Sequence, residues 1–261
     1  MKKTMIAAVL TMSTLAYSPI INAQTNKKNN LINSLTQDKV AKGLKEALDK
    51  GIADQVSKLS QPDGFLKNEL VKIVMPEEFQ KVDRALRRIG MDKLADQGLT
   101  LINRAAESAV KEATPIFVDA VKNMTFTDAK DILIGDKSAA TDYLKKSTSK
   151  SLYTKFSPVI NSSIASVGAD VIWEKMTTTY NALPLVSPVT TDLTDYITNQ
   201  TMDGVFKMIA VEEGNIRENI TGSRDSKLLK EVFAIQDNLT NSTKKNTSSN
   251  SIEKLFKNKK Q

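Results

Sequence analysis

The sequence predicts an all-α protein: a single multi-helix domain with a kinked long helix and no substantial sheet. Apolar residues return at helical spacing along most of the chain. The first such series is Val40, Leu44, Leu48, Ile52 and Val56. The sequence lacks the runs of alternating apolar and polar residues that indicate half-buried strands. Turn signals and glycines divide the apolar pattern into separate segments, as helix ends do.

The first predicted helix carries this apolar series and ends before the turn residues 61–64. A short β-branched run at 71–74 is expected to be a lone extended segment that ends at Pro76. Pro76 and the two acids after it suit the first turn of a second helix. The N–H groups of a first turn have no partner within the helix, so the missing N–H of proline costs nothing there. Acids are favourable near the positive end of the helix dipole. That helix is expected to stop near Gly90.

The longest predicted helix runs from about Asp92 toward Met124. Alanine recurs every four residues in it, which allows a neighbouring helix to approach closely. These alanines are Ala105, Ala109 and Ala113. Pro115 is expected to kink or divide the helix, because proline removes a hydrogen bond and clashes with the preceding turn.

Shorter helices follow along the rest of the domain. Thr127 is expected to cap the first of them and Gly135 to stop it. The remaining predicted helices are 137–147, 149–166, 169–181, 191–215 and 223–236, with a long loop at 182–188.

The ends of the chain differ in composition from its middle. The predicted parts are a signal peptide at 1–23, a polar disordered leader at 24–30, the helical domain at 31–236 and a disordered tail rich in Lys, Asn and Ser at 237–261. The first part has Lys2 and Lys3 before an apolar run and Ala23 before the expected cleavage point. This order is typical of a secretory signal peptide, and the apolar run is too short to span a bilayer. We therefore expect a periplasmic or secreted protein.

The chain contains no Cys and no His. Disulfides, thiolate nucleophiles, imidazole bases and the usual zinc ligand sets are thereby excluded. Phosphate-binding glycine loops and nucleophile elbows are also missing from the sequence. Asp128, Asp131 and Asp136 surround one predicted helix end but lack the spacing of a calcium loop. We predict no catalytic residue, no metal and no cofactor, and we lean against an enzyme.

The formal net charge of +7 belongs mainly to the ends of the chain. Residues 31–238 hold 27 basic and 29 acidic residues, so the body is close to neutral. A nucleic-acid-binding domain carries its positive charge on the folded body, so no nucleic-acid partner is expected. The tail combines lysines with Ile252, Leu255 and Phe256, which suits weak contact with an anionic membrane surface; the alternative is a solvated tail.

The first set of candidate binding residues is Asn103, Arg104 and Glu107 on the alanine-rich helix. A guanidinium and a carboxylate beside a close helix contact suit a polar or anionic ligand. The alternative is a helix salt bridge three residues apart. We expect the Arg104–Glu107 pair to be buried, with Asn103 or Arg217 completing its hydrogen bonds.

The second set of candidates lies around the end of a later helix. Glu213 and Arg217 are four residues apart, and Arg224 follows in the next segment. Paired arginines can hold a phosphate or a carboxylate, although such a cluster more often ties one helix end to the next. Thr141 and Tyr143 are further candidate binding residues. They belong to a Thr-Asp-Tyr segment that recurs at 194–196.

Several of these segments also carry a family resemblance in the same order along the chain. They are 43–48, 63–65, 103–107, 139–143, 213–217 and 228–233. Together, over about 31–236, they resemble the bacterial exported family catalogued as domain-of-unknown-function family 4197. The resemblance implies a signal sequence and a single helical domain, and it brings no activity, substrate or cofactor.

The leading functional interpretation is an exported, periplasmic, helical binding or scaffold protein whose partner is an unknown envelope protein or an anionic surface. The alternatives are an envelope hydrolase or transferase that uses carboxylates, and a carrier of an apolar ligand. A solid core with an exposed patch would favour the scaffold. Two facing carboxylates in a polar cleft would favour the enzyme, and a large apolar cavity would favour the carrier.

Overall fold

The computed structural model describes residues 37–75, 92–166 and 192–238, together with isolated positions between 80 and 90 and between 168 and 188. The signal peptide, the leader and most of the tail lie outside the described residues. So do most residues of the helix predicted from Pro76 to about Gly90, of the helix predicted at 169–181 and of the loop at 182–188. Regular structure within the three described ranges is helical throughout, which confirms the all-α prediction.

The helices of these ranges are numbered here in chain order. They are α1 (Gln37–Leu59), α2 (Asp92–Val110), α3 (Ala113–Asn123), α4 (Phe126–Ile134), α5 (Ala139–Ala165), α6 (Leu193–Glu218) and α7 (227–238). A 3₁₀ turn, Ile220–Gly222, follows α6. None of the described helices combines the length and the apolar composition that a membrane span requires.

The long helix predicted over 92–124 is divided into α2 and α3. The break comes after Val110, and Pro115 lies in the first turn of α3, where its missing N–H leaves no hydrogen bond unmade. The alanines at 105, 109 and 113 are buried, as close packing requires. Proline therefore divides this element rather than bending it.

The cap of α4 differs from the prediction. Thr125, not Thr127, is the N-cap residue: its hydroxyl oxygen accepts the Asp128 N–H at 3.1 Å, and the Asp128 carboxylate accepts the Thr125 N–H at 2.9 Å. This reciprocal arrangement is a capping box, with Asp in the place of the usual Glu. Gly135 is the C-cap residue of α4, as the sequence indicates.

Helix α5 is continuous, whereas the sequence predicted two helices that meet at residue 148. The hydroxyls of Thr148 and Ser149 each donate at 2.6 Å to a carbonyl one turn earlier, on Leu144 and Lys145. Hydroxyl groups satisfied inside the helix in this way do not end it. Pro158 also lies inside α5.

Helices α5 and α6 pack along each other, and α2 lies against both of them. Helix α1 packs on α6 and also on α3 and α4. The rings of Phe117 and Phe206 meet edge to face, with centroids 6.1 Å apart. Gly43 of α1 lets α7 come close, because a Cβ there would lie 2.5 Å from Val232 Cγ2. The helices thus share one apolar core.

Candidate functional site

Residues 60–75, called the strap below, follow α1 and cross the first set of candidate residues. The strap buries Phe65, Val71 and Ile73 in the core. Gly204 of α6 makes room for it, because a Cβ at this position would lie 2.8 Å from the ring carbon Cε1 of Phe65. Apolar burial therefore holds the strap against α6.

Asn103 of α2 is fully buried and holds the strap by its backbone. Its side-chain oxygen accepts the Ile73 N–H at 2.9 Å, and its side-chain nitrogen donates to the Ile73 carbonyl at 2.9 Å. The same nitrogen donates to the Leu99 carbonyl at 2.8 Å. The amide pairs with the N–H and the carbonyl of Ile73 as a neighbouring strand would, and both its nitrogen and its oxygen have partners within the protein.

Glu107 and Arg104 hold the opposite end of the strap. One Glu107 oxygen accepts the N–H groups of Phe65 and Leu66 at 3.1 and 3.4 Å. The other oxygen accepts a hydrogen bond from Arg104 at 2.6 Å. The second terminal nitrogen of Arg104 donates to Asp63 at 2.6 Å. The carboxylate of Glu107 is therefore an anchor for the strap backbone.

The expectation of a buried Arg104–Glu107 pair is half right. The Glu107 side chain is 5% exposed, but that of Arg104 is 39% exposed. The expected role of Asn103 or Arg217 in completing the pair is wrong, because Asp63 and the strap N–H groups do so. Asp63 has a left-handed backbone with φ of 70°. Hydrogen bonds from Lys67 and then Arg104 hold the pKa of its carboxyl below the ordinary value.

Glu213 of α6 is the centre of the second set of candidates. Its oxygens accept the N–H groups of Ala140 and Thr141, each at 2.9 Å, and the Thr141 hydroxyl at 2.8 Å. These groups lie in the first turn of α5, whose own N-cap residue Ser138 makes no side-chain capping bond. A carboxylate from α6 thus caps α5 and answers its dipole.

Arg217 connects three helices from a buried position. It donates from Nε to Glu213 at 2.9 Å, from Nη2 to the Ile132 carbonyl at 2.8 Å and from Nη1 to Gln236 at 3.0 Å. The Ile132 carbonyl belongs to the last turn of α4, where a cation also suits the dipole. Helices α4, α6 and α7 therefore meet at one guanidinium.

Arg224 is buried one step further along the same junction. It donates to the Ile216 carbonyl at 2.7 Å and to the Asp237 carboxylate at 2.6 Å. Its guanidinium carbon also lies 4.9 Å from the centre of the Phe233 ring. Internal groups engage both arginines, so the arrangement supports the structural alternative over a phosphate site.

A small cavity adjoins this junction between α1, α4 and α6. Its volume is about 30 Å³, and most of its lining is apolar. A space of this size has room for about one or two water molecules. It cannot hold an apolar ligand such as an acyl chain.

A much larger groove lies on the surface between α3 and α5 and is called the α3–α5 groove. Its volume is about 750 Å³. Its lining residues are Glu112, Pro115, Ile116, Asp119, Ala120, Asn123, Tyr143, Ser147, Lys150, Ser151, Thr154 and Lys155. Tyr143, in neither polar cluster, lies here and donates to the Ala120 carbonyl at 3.4 Å. Sequence reasoning included Tyr143 and missed the rest, because only packing brings α3 beside α5.

The walls of the groove carry opposite charges. Glu112 and Asp119 belong to the α3 side, whereas Lys150 and Lys155 belong to α5. Within the described ranges, no ion pair of 4.0 Å or less involves any of these four residues. The groove keeps the charges apart and leaves them available to a ligand.

Asp128 and Asp136, two of the acidic residues around α4, have local roles. Asp128 takes part in the capping box, and Asp136 accepts hydrogen bonds from the N–H and hydroxyl of Ser138 at 3.0 and 3.1 Å. Within the part of the chain that the structure describes, no three carboxylates are grouped closely enough to hold a metal ion.

Fold and site together define an all-α domain with two internal polar junctions and, among the described residues, a charged surface groove between α3 and α5. The chain belongs to the family described as "Protein of unknown function (DUF4197)", whose model matches residues 34–234. The match confirms the family resemblance and contains every candidate residue named above. Searches of curated proteins and of solved structures found no match.

Proposed function

We propose that this protein is an exported binding or scaffold module that engages its partner through the α3–α5 groove. The observation that carries the proposal is the contrast between the groove and the two polar junctions. The groove has a volume typical of ligand sites, and its four charged side chains are in no ion pair within the described residues. The polar groups of the two junctions instead form hydrogen bonds with the strap backbone and with helix ends.

The alternatives receive less support from the same geometry. The small cavity of about 30 Å³ beside the Arg217 junction is too small for a carrier of an apolar ligand. The two groove carboxylates lie on one wall, seven residues apart, which places their Cα atoms about 10 Å apart along the helix. Hydrolysis by paired carboxylates uses groups that face each other across the substrate. Lysines occupy the facing wall instead.

Export is the second part of the proposal, and the amino-terminal pattern supports it. We expect the accumulated protein to begin near Gln24 and to lie in the periplasm or the medium. N-terminal sequencing of the folded protein and cell fractionation measure both. Retention of Met1 on that protein would contradict export.

The tail is proposed as a secondary, weak contact with anionic membrane surfaces, supported by its lysines beside Ile252, Leu255 and Phe256. Deletion of 239–261 should reduce binding to acidic phospholipid vesicles without lowering the melting temperature. Added salt should also weaken that binding, because exposed charges are screened. Equal binding with and without the tail would leave it a solvated extension.

The groove is tested by photocrosslinking in living cells. A photoreactive residue at Ser151, in the groove, is compared with one at Lys146, an exposed residue of the same helix outside the groove lining. We expect one reproducible adduct from Ser151 that is absent from Lys146. Identical adducts from both positions, or none from Ser151, would contradict the groove as the binding surface.

A further inference from the structure

We propose that the occupant of the α3–α5 groove is an amphipathic α-helix of a partner protein, with basic residues along one flank and acidic residues along the other. The inference rests on the proposed function and adds the chemistry of the partner. The residue spacing of the two walls, their length and their charges support a helical occupant.

Both walls present the same spacing to the groove. On the α3 side the groove residues include Glu112, Ile116, Asp119 and Asn123, separated by four, three and four positions. On α5 they include Tyr143, Ser147, Lys150 and Thr154, again separated by four, three and four. Spacing of four and three keeps each set of residues on one face of its helix, so each wall faces the groove along its whole length.

The length of the walls sets the length of the occupant. Each stripe covers three helical turns, about 16 Å at the rise of an α-helix. A partner helix of about three to four turns would therefore contact both walls along their whole length. Helix-in-groove binding of this kind is a common mode of peptide recognition.

The lining of the groove also includes apolar surface that an apolar stripe can cover. Pro115, Ile116, Ala120 and Tyr143 contribute apolar surface there. Among the hydroxyl residues of the α5 wall, Ser147 and Thr154 donate to carbonyls of their own helix, at 2.9 Å in each case. A helix laid over them would therefore leave neither donor without a partner.

The charges select the flanks of the occupant. Glu112 and Asp119 are one heptad apart on one wall, so basic residues one heptad apart on the partner would meet both of them. Lys150 and Lys155 on the facing wall favour acidic residues on the opposite flank. Charge pairs at such flanking positions fix partner choice more than affinity.

The probe is a library of displayed helical peptides of four turns with a fixed apolar stripe, in which the flanking positions vary between Lys and Glu. Selection uses the full mature chain. We expect at least tenfold enrichment of peptides with one basic and one acidic flank. The comparison is with peptides whose two flanks carry the same charge and with peptides that mix Lys and Glu within a flank. The expected enrichment is the same for both directions of the bound helix. Reversing a helix exchanges the walls that its two flanks face, so a peptide with one basic and one acidic flank can match the walls in one of the two directions.

Two double variants test which wall contacts which flank of the bound helix. Glu112→Lys with Asp119→Lys makes both walls basic and should select peptides that are acidic on both flanks. Lys150→Glu with Lys155→Glu makes both walls acidic and should select peptides that are basic on both flanks. The control, Asp38→Lys with Asp54→Lys, makes an equal charge change at exposed positions of α1 outside the groove lining. It should keep the wild-type preference.

Circular dichroism confirms that each variant is folded before selection. Absence of enrichment, or the same preference in wild type and in both groove variants, would overturn the inference. Tighter peptide binding after deletion of 239–261 would assign the groove to the tail of this chain and also overturn it. If crosslinking at Ser151 still identifies one specific partner, the proposed function stands and only the helical occupant is rejected.

Discussion

The carboxylate of Glu213 on α6 caps α5 at Thr141: it accepts the Thr141 N–H at 2.9 Å and the Thr141 hydroxyl at 2.8 Å. The same carboxylate pairs with Arg217 at 2.8 Å, and both side chains are 6% exposed. Glu213 therefore neutralises the buried Arg217 and also caps the first turn of α5, the helix that packs against α6. Loss of this acid should affect the whole domain.

Glu213→Ala is expected to lower the free energy of unfolding by about 3–5 kcal/mol, because it leaves a buried guanidinium without its carboxylate. Urea unfolding measures the loss. Glu218→Ala, an exposed acid at the end of the same helix, serves as the control and should change stability by less than about 0.5 kcal/mol. Equal, small effects of the two substitutions would show that the junction contributes little.

Glu107→Ala is expected to cost about 2–3 kcal/mol, because the buried N–H of Phe65 and the part-buried N–H of Leu66 lose their acceptor. Arg104→Ala should cost only about 1 kcal/mol, because its side chain is 39% exposed and solvent screens the pair. Denaturant unfolding of both single variants and of the double variant measures the coupling. Additive effects below about 1 kcal/mol each would mean that the pair does not anchor the strap.

Gly204→Ala should destabilise the domain by about 1–3 kcal/mol, because the new methyl group would overlap the Phe65 ring. Gly214→Ala on the same helix is the matched control, since a Cβ there meets nothing within 4 Å. It should instead stabilise by about 0.5–1 kcal/mol through helix propensity. Thermal unfolding separates the two, and equal signs would show that the strap does not pack closely on α6.

The capping box of α4 should make stability depend on pH. Hydrogen bonds from the Thr125 hydroxyl and then the Thr125 N–H hold the pKa of Asp128 below the ordinary value of 3.8. A carboxyl whose pKa is lower in the folded state stabilises above the unfolded value, and this contribution is lost as the pH falls through the folded pKa.

Unfolding free energies measured between about pH 6 and about pH 2.5 should therefore fall more steeply for wild type than for Asp128→Asn. Asp131→Asn, an exposed acid of the same helix outside the capping box, is the control and should follow the wild-type curve. A wild-type curve no steeper than that of Asp128→Asn would remove the capping box as a source of pH dependence.

The sequence predicts the helices well because their signals are local. Apolar spacing locates α1, and Pro115 and Gly135 mark real helix ends. The errors are also local in origin. Thr125 and Thr127 both lie just before Asp128, and only the formed capping box identifies Thr125 as the cap. The two helices predicted at 137–147 and 149–166 are one helix, in which the Thr148 hydroxyl bonds to a carbonyl of the preceding turn.

Partners distant in sequence are harder to predict. Arg104 and Glu107 stand out from the sequence, but nothing near them identifies Asp63 or the strap N–H groups, which lie about 40 positions earlier. Glu213 likewise reaches Thr141 across 72 positions. The α3–α5 groove arises only when two helices pack together, so a linear pattern does not reveal it.

The junction around Arg217 and Arg224 has a consequence for where the folded unit can be cut. Gln236 and Asp237, which receive these guanidinium groups, come after residue 234, where the family match ends. A fragment trimmed to the match would keep both cations in the interior, with Arg224 only 4% exposed, and would discard one side-chain acceptor of each, Gln236 for Arg217 and Asp237 for Arg224. By its chemistry, the smallest self-sufficient piece of this chain includes all of α7, to residue 238.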